Sequence, residues 1–303
     1  MERISDKSEM FDELLLYSSK ELRILSCCVL CPRRCGVNRV EGELGHCRTG
    51  IKPVVSSYNL HFGEEPPISG ENGSGTIFFT YCNLNCIYCQ NYPISQLGVG
   101  EEVSLNELVG MMLQLQSRGA HNINFVTPSH ITIQVIKAVS LARAKGLKIP
   151  IVYNTSGYDS LFQLKLLEGT VDIYLADMRY SDNRVAKRYS GVDDYVEVNR
   201  KAIKEMHRQV GDLKLDENGI AYKGLLIRHL ILPNNLSGSK EIFEFIAKEI
   251  SRDTYISLMS QYFPAYKAPY DSMINRRITK EEYEKAKEFM FQFGLHNGWL
   301  QEI

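Results

Sequence analysis

Residues 73–96 read GSGTIFFTYCNLNCIYCQNYPISQ. Within them TIFFT (76–80) is a short run of β-branched and aromatic residues, the composition of a buried strand. It runs directly into Cys82-Asn-Leu-Asn-Cys86-Ile-Tyr-Cys89, a C-x3-C-x2-C loop that carries three potential thiolate ligands. Parallel α/β folds place their chemistry in such loops, at the carboxyl ends of strands.

The chain that follows alternates short apolar runs with longer amphipathic stretches. Strands are predicted near 76–80, 122–126, 149–153, 171–176, 225–231 and 254–258, and helices over 104–118, 130–145, 159–168, 193–209, 238–250 and 280–294. Six strands joined by helical crossovers imply a parallel sheet. Each strand ends in polar or small residues: TYCN, TPSH, NTSGY, DMRY, LPNN and MSQY. Residues 211–223 read as a hairpin or irregular excursion, and residues 8–25 as a helix with Leu14, Leu15, Leu22 and Leu25 partly on one face. The expected organisation is a cysteine-rich amino-terminal part over 1–70 packed on a barrel-like α/β domain over 71–303.

Composition narrows the function classes. The 303 residues are 44% hydrophobic, and 35 Lys+Arg against 36 Asp+Glu leave a formal charge of -1. That balance gives no global attraction for nucleic acid or an anionic membrane. No apolar run reaches the length of a membrane span and the amino terminus has no secretory apolar core, so a cytoplasmic location is expected. The eight cysteines, Cys27, Cys28, Cys31, Cys35, Cys47, Cys82, Cys86 and Cys89, all lie in the first third of the chain. Disulfide frameworks belong mainly to small secreted domains, so metal or cluster ligation is the better reading of this crowding.

Structural zinc and ferredoxin clusters close their coordination with four ligands. Three thiolates on one loop can instead hold three irons of a 4Fe-4S cluster and leave the fourth open; the alternative is a zinc knuckle completed by a distant histidine. Cys82, Cys86 and Cys89, with Tyr88 immediately before the last, resemble the signature of the radical S-adenosylmethionine (SAM) superfamily. HFGEEPPISG (61–70), residues 73–96, NINFVTPSH (122–130), IVYNTSGY (151–158), DIYLADMRY (172–180) and RHLILPNN (228–235) are similar to its pyruvate formate-lyase activating enzyme-like subgroup. CVLCPRRCGVNR (28–39) and GHCR (45–48) are similar to the amino-terminal motif of that subgroup.

The resemblance implies a partial (β/α)6 TIM-like barrel with SAM at the carboxyl ends of its strands. It implies that the open iron is chelated by the amino and carboxylate groups of SAM, and that one electron cleaves the sulfonium to give a 5′-deoxyadenosyl radical that abstracts hydrogen from a substrate. The reaction could activate a glycyl radical enzyme or modify a small molecule or peptide. A flavodoxin or ferredoxin-type electron donor would be a partner, as would a protein substrate if the substrate is a protein, with no membrane and no nucleic acid expected. The superfamily's usual Gly-Gly-Glu motif after the second strand is replaced here by Thr127-Pro128-Ser129-His130.

Strand-end residues are the candidates for SAM contact: Tyr88, Thr127, Ser129, Asn154, Ser156, Asp177, Arg179 and Arg228. An arginine takes a carboxylate in two parallel hydrogen bonds, so Arg179 or Arg228 could hold the methionyl carboxylate or an acidic substrate; a rim ion pair between Asp177 and Arg179 is the alternative. His130 could touch SAM or cap a helix. His61, Glu64 and Tyr262 are candidate catalytic residues, with Tyr262 a possible hydrogen donor, while Glu65 reads as an exposed loop carboxylate.

Cys28, Cys31, Cys35 and Cys47 form C-x2-C-x3-C-x11-C and suffice for a closed four-thiolate site, either zinc or an iron-sulfur cluster. Cys27 is left over. A non-enzymatic metal- or nucleic-acid-binding module would rest on the clustered Arg33, Arg34, Arg39 and Arg48, against the near-zero net charge.

Overall fold

A computed structural model describes residues 12–302. The ten strands, β1 Val54–His61, β2 Ser74–Phe79, β3 Glu101–Glu102, β4 Ile123–Val126, β5 Ile151–Thr155, β6 Ile173–Asp177, β7 Lys214–Leu215, β8 Ala221–Leu230, β9 Tyr255–Met259 and β10 Gly298–Leu300, lie in the order β10-β9-β8-β6-β5-β4-β2-β1-β3, with β7 paired to β8. From β2 to β10 the strands of this path are parallel and in chain order. A wall built in chain order is the pattern of a barrel; a doubly wound sheet reverses its order part-way. Its two ends, β10 and β3, do not pair with each other, so the barrel is partial.

All six predicted strands are present. The predicted helices correspond to α2 Leu105–Ser117, α3 Thr132–Ala144, α4 Leu161–Leu167, α6 Tyr195–Val210, α7 Ser239–Glu249 and α8 Lys280–Gln292, and 211–223 forms the β7–β8 hairpin. The amino-terminal helix differs: Ser18 and Glu21 form a capping box that starts a separate helix, α1 Ser19–Leu25, and the first residues of the predicted 8–25 helix lie outside the described residues. A further helix, α5 Asn183–Ser190, was not predicted.

The sheet begins at Val54, ahead of the boundary expected at residue 70. β1 runs antiparallel to β2, with His61 opposite Ser74 at the amino end of β2. Its VVSSYNLH sequence is largely polar because most of the strand is exposed or half-buried, which hid it from an apolar-run reading. The link from β1 to β2 carries a single helical turn, Pro66–Ser69, that inserts Ile68 beneath the barrel.

Alternation along the strands sorts side chains between two environments. Val152, Ile173, Leu175, Leu226 and Tyr255 pack with Ile68 and Trp299 as an interior floor, whereas Tyr153, Tyr174, Ile227 and Ile256 pack outward among residues of the covering helices. Above the floor the same inward-facing rows turn polar: Asn124, Asn154, Asp177, Arg228 and Ser257. This change of character along the strands positions the site.

Candidate functional site

A cavity of about 330 Å³ opens at the carboxyl ends of the strands. Cys82, Cys86 and Cys89 line it together with His61, Glu64, Glu65, Phe78, Thr127, Asn154, Ser156, Asp177, Arg179, Arg228 and Gln261. Met259 on β9 and Trp299 and Gln301 at β10 close its far side.

The cysteine loop leaves β2 through Tyr81, which has a left-handed backbone (φ 69°) and carries the Arg48 guanidinium 4.5 Å above its ring. Arg179 Nη1 donates to Cys86 Sγ at 3.1 Å, the Leu84 amide donates to Cys82 Sγ at 3.3 Å, and the Ser190 and Ser95 hydroxyls lie 2.9 and 3.1 Å from Cys86 and Cys89 Sγ. Burial pushes the Cys82 thiol up to about 12, with the neighbouring Cys86 adding to the shift, and burial raises Cys89. Three thiols on one cavity wall, Cys86 buried and Cys82 and Cys89 half-buried, met by N–H and O–H groups, fit a cluster that binds each thiolate through a different iron. Among the described residues no three Cys, His, Asp or Glu side chains gather as ligands of one ion.

Asp177 ends β6 and is gripped from both sides. Arg179 Nε and Nη2 donate to its Oδ2 at 3.0 and 2.6 Å, and Arg228 Nε donates to its Oδ1 at 2.7 Å. Burial alone would raise its pKa; Arg228 and Arg179 outweigh burial and hold the carboxyl below the usual range. Arg228 Nη2 also donates to Asn154 Oδ1 at 2.6 Å, and its Nη1 lies 3.5 Å from Glu64 Oε2. Asn124 and Asn154 donate to Glu64 Oε1 at 3.0 and 3.3 Å. The result is one connected network from Cys86 to Glu64. Both arginines are spent on internal partners, so neither presents the free fork expected for a carboxylate ligand.

Local backbone makes this possible. Thr127 follows β4 with φ 61°, a strained conformation for a β-branched residue of the kind that collects at functional sites, and its amide donates to the Asn154 carbonyl. Gly157, at φ +73°, brings β5 so near β6 that a Cβ there would stand 2.3 Å from the Asp177 carbonyl. Tyr195 on α6 donates to the Ser156 carbonyl at 2.8 Å and fixes the same corner.

Thr127, Asn154, Ser156, Asp177, Arg179 and Arg228, with His61 and Glu64, thus share one cavity. Several expectations are corrected. Tyr262 is buried away from it, its hydroxyl donating to the Ile274 carbonyl at 2.6 Å, so it is not placed to quench a radical. Ser129 pairs with Thr155 in a buried network that includes Gln163 and Asp159, behind the wall. Tyr88 bonds the Tyr180 hydroxyl and reaches only the cavity's outer mouth. Glu65 is not an exposed loop carboxylate; it is 3% exposed because the Pro66–Ser69 turn folds it inward. His130 is buried, with Nε2 3.0 Å from the Thr80 carbonyl. His229 lies between the Met178 carbonyl and Ser239, edge-on to Phe243.

Asn124, Ser190, Met259, Trp299 and Gln301 were missed. Asn124 had a signal, an amide in the middle of the apolar run NINFV; the others occupy stretches whose proximity only the fold creates.

In the amino-terminal part, Cys28 exchanges backbone hydrogen bonds with Val37 and Gly36, Arg39 Nη2 donates to Cys47 Sγ at 3.2 Å, and the His46 amide donates to Cys35 Sγ at 3.4 Å. The thiols of Cys47, Cys28 and Cys35 add to the upward shift that burial imposes on Cys31, which reaches about 12. The four therefore share one neighbourhood. It docks beside the other loop: Arg33 Nε donates to the Asn83 carbonyl at 2.9 Å and Arg39 Nη1 to the His130 carbonyl at 2.7 Å. Arg33 and Arg39 are thus engaged internally rather than displayed as a basic face. Cys27 is exposed.

The sequence model of the radical SAM superfamily matches residues 76–214, the segment from β2 through the first half of the hairpin. An uncharacterized protein of Methanocaldococcus jannaschii is 34% identical over 277 residues, covering 88% of this chain and 75% of its own. The chain belongs to the radical SAM superfamily. The pyruvate formate-lyase-activating enzyme of Clostridium pasteurianum is 25% identical over 194 residues, covering 60% of this chain and 71% of that enzyme. Among solved structures, HydG, a maturase of the FeFe-hydrogenase, aligns with a TM-score of 0.49 at 11% identity over 74% of this chain, which spans half of HydG's length. Methylornithine synthase aligns with a TM-score of 0.48 at 12% identity, over 74% of this chain and 70% of its own. Membership makes the protein a radical SAM enzyme that binds SAM and a 4Fe-4S cluster. Among the described residues no helix is long and apolar enough to cross a membrane.

Proposed function

We propose that this radical SAM enzyme takes a small polar molecule into its barrel and abstracts hydrogen from it there. The observation that carries the reading is the layer of ionic groups lining the cavity behind the cysteines, buried Glu65 with half-buried Glu64, Asp177 and Arg228. Ionic groups are costly to bury, and a cavity for an uncharged peptide backbone would have no use for them.

Cys82, Cys86 and Cys89 would hold the cluster, which when bound supplies the electron that cleaves SAM to a 5′-deoxyadenosyl radical. Arg179 stabilises the Cys86 thiolate through its Nη1 bond while Asp177 fixes its guanidinium. Thr127 and Ser156 offer hydroxyls to SAM at the strand ends, the Ser156 hydroxyl being without an internal partner. Met259, Trp299 and Gln301 close the far wall and limit entry of water.

The test uses anaerobically reconstituted protein with SAM and reductant. The low-molecular-weight fraction of a cell extract should accelerate formation of 5′-deoxyadenosine and methionine; acceleration by the protein fraction alone would overturn the reading. The 25% identity to the Clostridium pasteurianum enzyme supports a second reading, activation of a glycyl radical enzyme. It requires a glycyl-radical electron paramagnetic resonance signal on a partner protein after incubation.

Cys28, Cys31, Cys35 and Cys47 are further proposed to hold a second iron-sulfur cluster that passes electrons from a flavodoxin or ferredoxin-type donor. Their shared neighbourhood and the Arg33 link to the Asn83 carbonyl support this. Replacing Cys28 and Cys31 with alanine should remove about four irons. Loss of zinc at constant iron would refute it.

A further inference from the structure

The two ends of the cavity differ in origin. The cysteines enter over the carboxyl ends of the strands, whereas Glu64 and Glu65 reach in from the link that follows the carboxyl end of β1 and leads to the amino end of β2. At that inner end the pairing of charges is incomplete. Arg179 is occupied by Asp177 and Cys86, and Arg228 by Asp177 and Asn154, leaving Arg228 Nη1 as the cation nearest both glutamates. Two guanidiniums therefore face three carboxylates. Burial raises the pKa of Glu64 and of Glu65, and Arg228 offsets only part of it for each.

Two unmet acceptors lie at this end: Glu65 Oε2 and Asn124 Oδ1 are buried without a partner, while the Ser257 hydroxyl sits against Glu65 and lowers its pKa. Asn124 donates one amide hydrogen to Glu64 while its oxygen has no donor. A buried acceptor left unmet costs about 1–3 kcal/mol, and a ligand that donates hydrogen bonds removes that cost. A carboxylate or phosphate would instead add a fourth anion and bring no donor.

We infer that the inner end of the cavity recognises a protonated amine on the substrate, held between Glu64 and Glu65 with the unmet Asn124 oxygen behind them. The inference rests on the small-molecule reading and names its substrate class. An ammonium supplies three N–H donors and one positive charge, which matches both deficits. His61, the other titratable group on this wall, packs edge-on to Phe78.

SAM also carries an ammonium, and the experiment separates the two sources. Reconstituted holoenzyme saturated with SAM is titrated calorimetrically with n-butylamine, n-butanol and butyrate, in wild type and Glu65→Gln. The expected ranking places the amine about tenfold or more above the alcohol, with butyrate weakest, and Glu65→Gln should lower amine affinity about tenfold while leaving SAM affinity within about twofold. Preference for butyrate, or amine binding indifferent to Glu65→Gln, overturns the inference. Loss of SAM affinity by the same factor as amine affinity would assign the site to SAM's own ammonium and also overturn it. Should the variant not fold, the wild-type ranking decides alone. Acceleration of SAM cleavage by the protein fraction alone, with the amine ranking intact, would refute the small-molecule reading and leave the amine site standing.

Discussion

The two cysteine regions carry the same thiol chemistry and are built in opposite ways. In the 82–89 loop the thiols are braced by the barrel: Arg179 comes from the end of β6, Ser190 from α5 and Ser95 from the turn after the loop. All three sulfurs line a cavity. In the 28–47 region the braces are local, the amides and carbonyls of Cys28, Gly36 and Val37 and the side chain of Arg39, and three of the four thiols are buried. The first arrangement leaves space beside the thiolates for a substrate and the second does not. Three thiols thus go with a cavity, and four with a closed turn.

The sharpest break in this comparison is removal of a thiol. Cys86→Ala should abolish methionine and 5′-deoxyadenosine formation, whereas Cys31→Ala should leave SAM binding intact and reduce turnover only when electrons arrive through the protein donor. A chemical reductant in place of the donor separates the two. If Cys31→Ala is as inactive as Cys86→Ala with either reductant, the regions do not divide the work as described.

Next in size is the arginine beside each sulfur. Arg179→Lys loses the planar fork that reaches Asp177 and Cys86 together and should slow SAM cleavage about 10–100-fold, the usual effect of removing a group that supports a metal ligand. Arg39→Met removes bonds to Cys47 Sγ and the His130 carbonyl and leaves that carbonyl buried without its donor. It should cost roughly 3 kcal/mol in denaturant unfolding with little change in the rate of SAM cleavage per folded molecule. Equal kinetic effects of the two substitutions would remove the distinction between them.

How much of this was readable beforehand follows from the range of each interaction. The six parallel strands and their helices were readable because apolar periodicity is local, and the two cysteine groups because ligand spacing is local. β1 was not, since a strand that is mostly exposed carries few apolar residues. Asp177, Arg179 and Arg228 were found as strand-end residues, but their mutual saturation depends on β6 and β8 lying side by side with Asp177 opposite Arg228. Glu65 misled because its burial comes from a turn whose packing partner, Ile68, meets the barrel floor from beneath. Tyr262 misled because a strand end fixes where a residue starts and leaves its side chain's direction open.

The smallest predicted effect concerns the seam between the two regions. His130 joins them: its carbonyl accepts from Arg39, and its ring meets the Thr80 carbonyl two residues before Cys82. Burial, aided by Arg39, lowers its pKa from 6.5 to about 3. The folded ring therefore refuses a proton that the unfolded chain accepts below about 6.5. Its contribution to stability is complete above that pH and is lost as pH falls toward the folded value, with a slope of at most about 1.4 kcal/mol per pH unit. His229, lowered by burial to about 4, acts with the same sign. Denaturant titrations between pH 7 and pH 5 should show stability declining with acid in the wild type and declining by about one proton's slope less in His130→Gln. Identical slopes in the two proteins would mean that the ring takes up its proton in the folded state, and that the seam between the cysteine regions is open to water.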